Sequence, residues 1–215
     1  MLYIIDKLEL QENAFIESMN SLLSAQRYQK VQRLRSSFGR NASAAAYLLL
    51  RFALREVYDI NEAVEFKIAS KGKPALRNYP KIHFNLSHSK GVAACVVADF
   101  EVGVDVQNIR HVSGKTAKRV LTEEEYKIFL TSSNPEEYFC GIWTIKESYL
   151  KMTGRGITTE LGDISAESKT NIYTLKGDDY YCSVCSSVAS QNFASEATEK
   201  VRNIGREELE QLYRR

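Results

Sequence analysis

The 215-residue sequence lacks the long apolar stretches of a membrane protein. Its longest apolar run, residues 44–50, is far below the ~20 residues that span a bilayer, and residues 1–5 lack the basic start of a secretion signal. Its cysteines include one close pair, Cys182 and Cys185, with no second close pair to complete a zinc site. Because residues three apart on the strand expected there point to opposite faces, we expect reduced, packed thiols and a cytoplasmic protein.

Acidic residues are absent from Ser18 to Arg55, although the whole chain is nearly neutral, with a net charge of +2. The basic residues of this segment are Arg27, Lys30, Arg33, Arg35, Arg40, Arg51 and Arg55. The segment is either an anion-binding site or a solvated helix face whose acids lie elsewhere in space. With only Tyr28 and Phe38 as nearby aromatics, nucleic acid is not an expected partner.

Hydrophobic periodicity predicts helices and strands that do not alternate regularly. Helices are expected at residues 13–23, 25–34, 40–57 and 206–213, with another from Pro135 through Lys151 that breaks near Gly141. Strands are expected at 3–5, 66–68, 82–86, 91–99, 102–106, 164–166, 171–175 and 180–188, with a hairpin link at 99–101 and a capped helix start at Thr122–Glu125. This mixture, without repeats or a low-complexity linker, favours an α+β fold with antiparallel strands.

One carboxylate, Asp105, interrupts the apolar strand 102–106. A buried acid is costly unless it has a partner, and a metal ion is one such partner. Glu147 and Lys151 lie one turn apart on a helix and therefore share a face, so Glu147 could complete a metal site. Taken alone, the Glu147–Lys151 pair is more typical of a surface ion pair. Together with Asp105, it suggests Mg²⁺ chemistry on a phosphate.

The order and spacing of five motifs resemble those of the surfactin-synthetase-activating type of 4′-phosphopantetheinyl transferase, over about residues 25–164. The motifs are Gly72-Lys73-Pro74, Phe84-Asn85-Leu86-Ser87-His88-Ser89, Gly103-Val104-Asp105, Trp143-Thr144-x-Lys146-Glu147-Ser148-x-x-Lys151 and Gly154-Arg155-Gly156. The resemblance implies an enzyme that moves the phosphopantetheine arm of coenzyme A onto a serine of an apo acyl or peptidyl carrier protein. It also implies two similar α+β halves related by a pseudo-twofold axis, here residues 1–105 and 106–215, with coenzyme A between them. Such a fold would allow a monomer.

The resemblance also implies the roles of individual residues. Asp105 and Glu147 match the family's Mg²⁺ ligands, and Lys151 matches a lysine that contacts the pyrophosphate. The matches to the coenzyme A site are Ser87 and His88 at the phosphates, Lys73 near the nucleotide, and Lys30, Ser43 and Arg27 at the 3′-phosphate and adenine end. The acid-free segment offers Arg40 beside Arg27 and Lys30 for one phosphate, which suits a substrate with several anionic groups.

Gln107 departs from the family pattern, because many members carry a glutamate there as a third metal ligand. A neutral amide binds Mg²⁺ more weakly than a carboxylate, so either a water substitutes, or the affinity falls, or the choice of metal shifts. Two acids remain, so activity is still expected.

Glu147, or a water that it holds, is the expected general base, because a carrier serine is a poor nucleophile until it loses its proton. Residues 118–121 combine charge and apolar surface suited to an acidic carrier, although Val120 and Leu121 are equally well explained as core.

A coenzyme A-binding scaffold is a weaker alternative, since binding alone does not need a base. An unrelated Mg²⁺-dependent phosphoryl transferase lacks support, because no Gly-x-x-x-x-Gly-Lys-Ser/Thr loop occurs. The natural carrier is left open.

Overall fold

The computed structural model describes residues 1–6, 20–68, 72–156, 161–167, 171–188 and 201–210. Its helices are α1 (Ala25–Gln32), α2 (Ser37–Tyr58), α3 (Gly114–Val120), α4 (Glu123–Thr131), α5 (Pro135–Thr153) and α6 (Arg206–Glu210). Its strands are β1 (Leu2–Ile5), β2 (Phe66–Ile68), β3 (Pro74–Leu76), β4 (His83–Ser89), β5 (Val92–Ala98), β6 (Val102–Asn108), β7 (Ile172–Lys176), β8 (Tyr180–Ser186) and β9 (Val201–Asn203). The mixture confirms the predicted α+β class.

Two sheets position the site. The first has the order β4-β5-β1-β9 and is antiparallel except for the parallel pair β1 and β9. The second has the order β6-β8-β7 and is antiparallel throughout. Helix α2 packs on β4 and β5, and α5 packs on β6 and β8, so each sheet has one long helix against it. The pseudo-twofold axis and the boundary after residue 105 stay predictions.

Buried apolar side chains form three clusters. The first lies between α2 and the first sheet, and the second joins the two sheets through side chains such as Ile4 and Val104. The third joins α3, α4 and α5 and contains Val120 and Leu121, which are 1% and 3% exposed. These two residues are therefore core, and the alternative that gave their apolar surface to a carrier protein is wrong.

Three local predictions are wrong. The link 99–101 does not close a hairpin, because β6 pairs with β8 while β5 belongs to the other sheet. Residues 164–166 follow a 3₁₀ turn at Leu161–Asp163 and form no strand, and the Ala166 amide donates to Oε1 of Glu125 instead. Helix α5 runs unbroken through Gly141, which lies against the ring of Tyr181.

Two other predictions are confirmed. The capping box at Thr122 and Glu125 is confirmed at the start of α4. The four cysteines are free and buried, as expected for packed thiols. Residues 13–19 and 211–213 of the predicted helices lie outside the described residues. Among the helices described, none is both long and apolar enough to cross a membrane.

Candidate active site

Helix α5 and strand β6 approach each other closely at Gly103. A Cβ on Gly103 would lie 2.1 Å from the carbonyl oxygen of Ser148 and 2.4 Å from the amide nitrogen of Met152, so only glycine admits this contact. Because strand side chains alternate between faces, Asp105 shares this helix-facing side while Val104 enters the core. The contact brings Asp105 of β6 close to Glu147 of α5.

Asp105 is held through one of its two carboxylate oxygens. The Ser87 hydroxyl donates to Oδ1 at 2.9 Å, and Nζ of Lys151 donates to the same Oδ1 at 2.6 Å. Oδ2 of Asp105 and Oε1 of Glu147 are both buried without a hydrogen-bond partner among the described residues. Buried oxygens without donors are costly, and a bound cation would remove that cost.

The carboxylate pair fits Mg²⁺ in its chemistry, since this ion prefers oxygen ligands and commonly takes one or two carboxylates. Burial, together with the charge of Asp105, raises the pKa of Glu147, and Lys151 opposes the rise. Such a rise is expected when two carboxylates share a site. No group of three or more His, Cys, Asp or Glu side chains that could hold a metal occurs in the part of the chain described. The described residues thus offer two candidate carboxylate ligands rather than three.

Gln107 lies two residues beyond Asp105, on the same face of β6. Its backbone carbonyl accepts a hydrogen bond from the Cys140 thiol at 3.1 Å. Gln107 also lines a cleft of about 210 Å³ together with Asn108 and Trp143. Within the described ranges, no hydrogen bond joins its side chain to Asp105 or Glu147. Its predicted metal contact therefore stays a prediction.

Side chains of β4 join the two sheets beside this pair. Oδ1 of Asn85 accepts from the Val104 amide at 3.0 Å, the Ser87 hydroxyl accepts from the Val106 amide at 3.1 Å, and the Ser89 hydroxyl accepts from the Asn108 amide at 3.2 Å. We call this row the β4–β6 seam. In this seam, side-chain oxygens of β4 accept hydrogen bonds from alternate backbone amides of β6, in place of the backbone carbonyls of a neighbouring strand.

Ser87 has no hydrogen-bonding capacity left for a ligand. Its hydroxyl accepts from the Val106 amide and from Nζ of Lys151 at 3.0 Å, and it donates its only proton to Asp105. The residue predicted to contact a phosphate is thus committed to the orientation of Asp105.

A cleft of about 250 Å³ opens at Glu147 and Lys151, with Asn85 and Lys73 also in its lining. Nζ of Lys73 donates to Glu101 at 2.5 Å and to the carbonyl of Met152 at 2.8 Å. Lys73 therefore lines the same cleft as Glu147 and Lys151 and also ties the residue before β3 to the end of α5, and its predicted contact near the nucleotide stays a prediction.

Arg27 and Ser43 lie together, as predicted. Arg27 is 7% exposed, and its guanidinium donates to the carbonyl and the hydroxyl oxygen of Ser43 and lies 5.7 Å from the centre of the Tyr47 ring. Burial lowers the pKa of Arg27 to about 10, and its Nε is buried without a partner. Among the described residues, no carboxylate forms an ion pair with it. A buried cation without an acid is a strong candidate to receive an anion.

His88 lies near these cations and near Lys151, and its side chain still reaches solvent. Burial and then the charges of Arg27, Lys151 and Lys30 lower the pKa of His88 to about 4. Burial and Arg27 also lower the pKa of Lys30. Arg40 is bound differently, because its Nη1 donates to the carbonyls of residues 34 and 35, in the link between α1 and α2. The structure brings together all the predicted cations of this cluster except Arg40.

The buried pair of Lys146 and Glu125 was not predicted. Lys146 is fully buried, and its Nζ lies 2.5 Å from Oε2 of Glu125 and donates to the carbonyls of Val120 and Leu161. The pair fixes α4 against α5 directly beside Glu147. The capping box identified Glu125 as a helix-start residue, but its local pattern does not indicate a lysine partner 21 residues further along the chain.

The chain is similar in sequence to known 4′-phosphopantetheinyl transferases. The model of the 4′-phosphopantetheinyl transferase superfamily matches residues 101–198. The chain is 30% identical over 169 residues to the 4′-phosphopantetheinyl transferase psf-1 of Bacillus pumilus, covering 77% of this chain and 72% of that protein. It is 27% identical to the transferase Sfp of Bacillus subtilis, covering 76% and 73%. It is 29% identical to the transferase gsp of Aneurinibacillus migulanus, covering 88% and 86%.

Proposed function

The chain belongs to the 4′-phosphopantetheinyl transferase superfamily, whose reaction moves the phosphopantetheine arm of coenzyme A onto a carrier protein, and we propose that Asp105, Glu147 and Lys151 carry out this transfer with Mg²⁺. The observation that supports these roles is the pair of buried oxygens beside Lys151, Oδ2 of Asp105 and Oε1 of Glu147, which accept no hydrogen bond from any described residue.

Asp105 and Glu147 would hold the ion through these two oxygens. Mg²⁺ bound there would neutralise negative charge on the pyrophosphate as its phosphoryl bond breaks. Lys151, whose Nζ lies 2.6 Å from Oδ1 of Asp105, would add a hydrogen bond and a positive charge to the same group and so stabilise charge that grows in the transition state.

Glu147 also acts as the general base in this proposal, directly or through a water. The carrier serine gives its proton to Glu147 and its oxygen attacks the phosphorus that bears pantetheine. The bond to the remaining phosphate breaks, and adenosine 3′,5′-bisphosphate leaves. In the site without the ion, burial and the charge of Asp105 raise the pKa of Glu147, and a cation bound by both carboxylates would oppose that rise.

Arg27, Lys30 and His88 are proposed to bind the 3′-phosphate of coenzyme A. Arg27 supports this assignment best, since its charge is buried without an acid among the described residues. Lys118 and Arg119 are exposed on α3 and offer a basic surface to an acidic carrier protein. A cytoplasmic, monomeric protein stays our expectation.

The test is direct. The protein is mixed with coenzyme A, Mg²⁺ and an apo carrier domain, and the carrier is weighed by mass spectrometry. We expect a gain of the phosphopantetheine mass, which Glu147→Ala abolishes and Glu124→Ala, on the exposed face of α4, leaves intact. Coenzyme A binding without mass gain on fatty acid, polyketide and peptide carriers would instead support a scaffold.

A further inference from the structure

Asn85 is the member of the β4–β6 seam that also lines the cleft. It is 7% exposed, and it borders the same space as Glu147 and Lys151. Its Oδ1 accepts from the Val104 amide at 3.0 Å. Because a backbone amide can only donate, this bond fixes which end of the carboxamide faces β6.

The nitrogen of the Asn85 side chain is therefore the end that is left for the cleft. No residue that the structure describes accepts a hydrogen bond from this Nδ2. With its oxygen occupied, the carboxamide presents only N–H donors, and donors of this kind suit an anionic oxygen.

The neighbouring polar groups cannot take this role as easily. The Ser87 hydroxyl gives its one proton to Asp105, and the Lys73 ammonium is already bound to Glu101 and two carbonyls. Asn85 is thus an uncommitted neutral donor beside the reacting groups.

We propose that Asn85 binds the substrate, with its Nδ2 donating to a non-bridging oxygen of the coenzyme A pyrophosphate while its Oδ1 stays on the Val104 amide. This inference rests on the proposed function. Ser87 then acts as a positioning residue for Asp105, and Asn85 supplies the neutral phosphate contact that the sequence motifs assigned to Ser87. One side chain joins the sheets and contacts the substrate, so the sheet junction fixes the phosphate relative to Asp105.

Asn85→Asp is the sharpest test, because it keeps an acceptor for Val104 and removes the donor. Ser89→Asp is the matched control, since it adds the same charge and keeps a seam acceptor for Asn108 but lies outside the cleft lining. Coenzyme A binding is measured by calorimetry at 0.15 M salt without added metal, so that an altered metal site does not contribute. Thermal unfolding checks that both variants fold.

We expect Asn85→Asp to weaken coenzyme A binding about tenfold or more, and Ser89→Asp to weaken it less than about threefold. Equal weakening by the two variants, or no weakening by Asn85→Asp, would overturn the proposal. If Asn85→Asp does not fold, Asn85→Ser replaces it, because the shorter side chain cannot span Val104 and the substrate. Failure of the unaltered protein to bind coenzyme A would count against the proposed function instead.

Discussion

Nζ of Lys151 lies 2.6 Å from Oδ1 of Asp105, while Oδ2 of the same carboxylate has no partner among the described residues. One oxygen is thus neutralised by a lysine of α5, and the other faces the site with Glu147. The lysine lowers the negative potential of the carboxylate pair and, in the proposed reaction, is also a cation for the substrate. Its removal should therefore affect a metal and a phosphate in opposite directions.

Lys151→Met tests this double role. Without the lysine charge, we expect Mn²⁺, measured by electron paramagnetic resonance without coenzyme A, to bind severalfold more tightly. Coenzyme A should bind about tenfold more weakly, because a charge-assisted contact is lost. Lys127→Met, which removes an exposed pair with Glu123, is the control and should change neither. Weaker Mn²⁺ binding would contradict the assignment of Asp105 as a ligand.

Gln107→Glu should lower the Mg²⁺ concentration needed for half the maximal transfer rate. A third carboxylate on the Asp105 face of β6 adds an anionic oxygen that the described site lacks. The rate is followed by carrier mass at a series of Mg²⁺ concentrations. Gln32→Glu, exposed on α1, controls for net charge. An unchanged metal dependence would place Gln107 outside the ligands and their bound waters.

Local periodicity could predict where Asp105 and Glu147 lie within their own elements, whereas the resemblance to the family motifs predicted that the two residues meet. Strand alternation placed Asp105, and helix spacing placed Glu147 and Lys151 on one face. The partner of β6 could not be predicted in this way. The short link at 99–101 favours a hairpin, but β6 pairs with β8, more than seventy residues further on, and such pairing depends on tertiary packing.

The hydrogen-bond partners of polar residues inside the motifs also could not be predicted from local sequence patterns. The sequence placed Ser87 at the site, but whether its proton goes to Asp105 or to a phosphate depends on the β4–β6 seam. Residues 164–166 show the same limit. Their apolar pattern predicts a strand, yet the Ala166 amide is satisfied by the Glu125 side chain, which a local pattern cannot reveal.

Gly103→Ala should destabilise the fold and slow the reaction together. The added Cβ would overlap the backbone of α5 at Ser148 and Met152, so the helix must move away from β6. We expect a loss of about 3 kcal/mol in the free energy of unfolding, measured with urea. Gly114→Ala, whose Cβ would meet only Tyr126 at 3.6 Å, should be nearly neutral. Full transfer activity in Gly103→Ala would show that the α5–β6 contact does not set the site.

Lys146→Met should cost about 3–5 kcal/mol of stability, because it leaves Glu125 buried without its cation. Glu125 would keep the Thr122 and Ala166 amides as donors, which makes the lower end of the range the expected result. Urea unfolding gives the value. The control is Lys176→Met, which removes an exposed pair with Glu137 and should cost less than about 1 kcal/mol. Equal losses of stability in the two variants would mean that the buried pair of Lys146 and Glu125 stabilises the fold no more than the exposed pair of Lys176 and Glu137.

His88 gives a pH dependence with a definite sign. Its pKa is lowered from 6.5 to about 4, first by burial and then by Arg27, Lys151 and Lys30. Between those two pH values the unfolded chain binds more protons than the folded one, so this group's contribution to stability falls as pH falls from 6.5 towards 4. His88→Asn should remove that part of the pH dependence, as measured by unfolding of both proteins at pH values across this window.

The His88 imidazole can also be followed by nuclear magnetic resonance, with its signal assigned by its loss in His88→Asn. In the free protein its pKa should lie near 4, so the ring is neutral at pH 7. Saturation with coenzyme A should raise that pKa, because a nearby phosphate favours the charged imidazolium. An ordinary pKa in the free protein, with no change on binding, would show that the cations of α1 and Lys151 do not surround this residue and would remove His88 from the phosphate site.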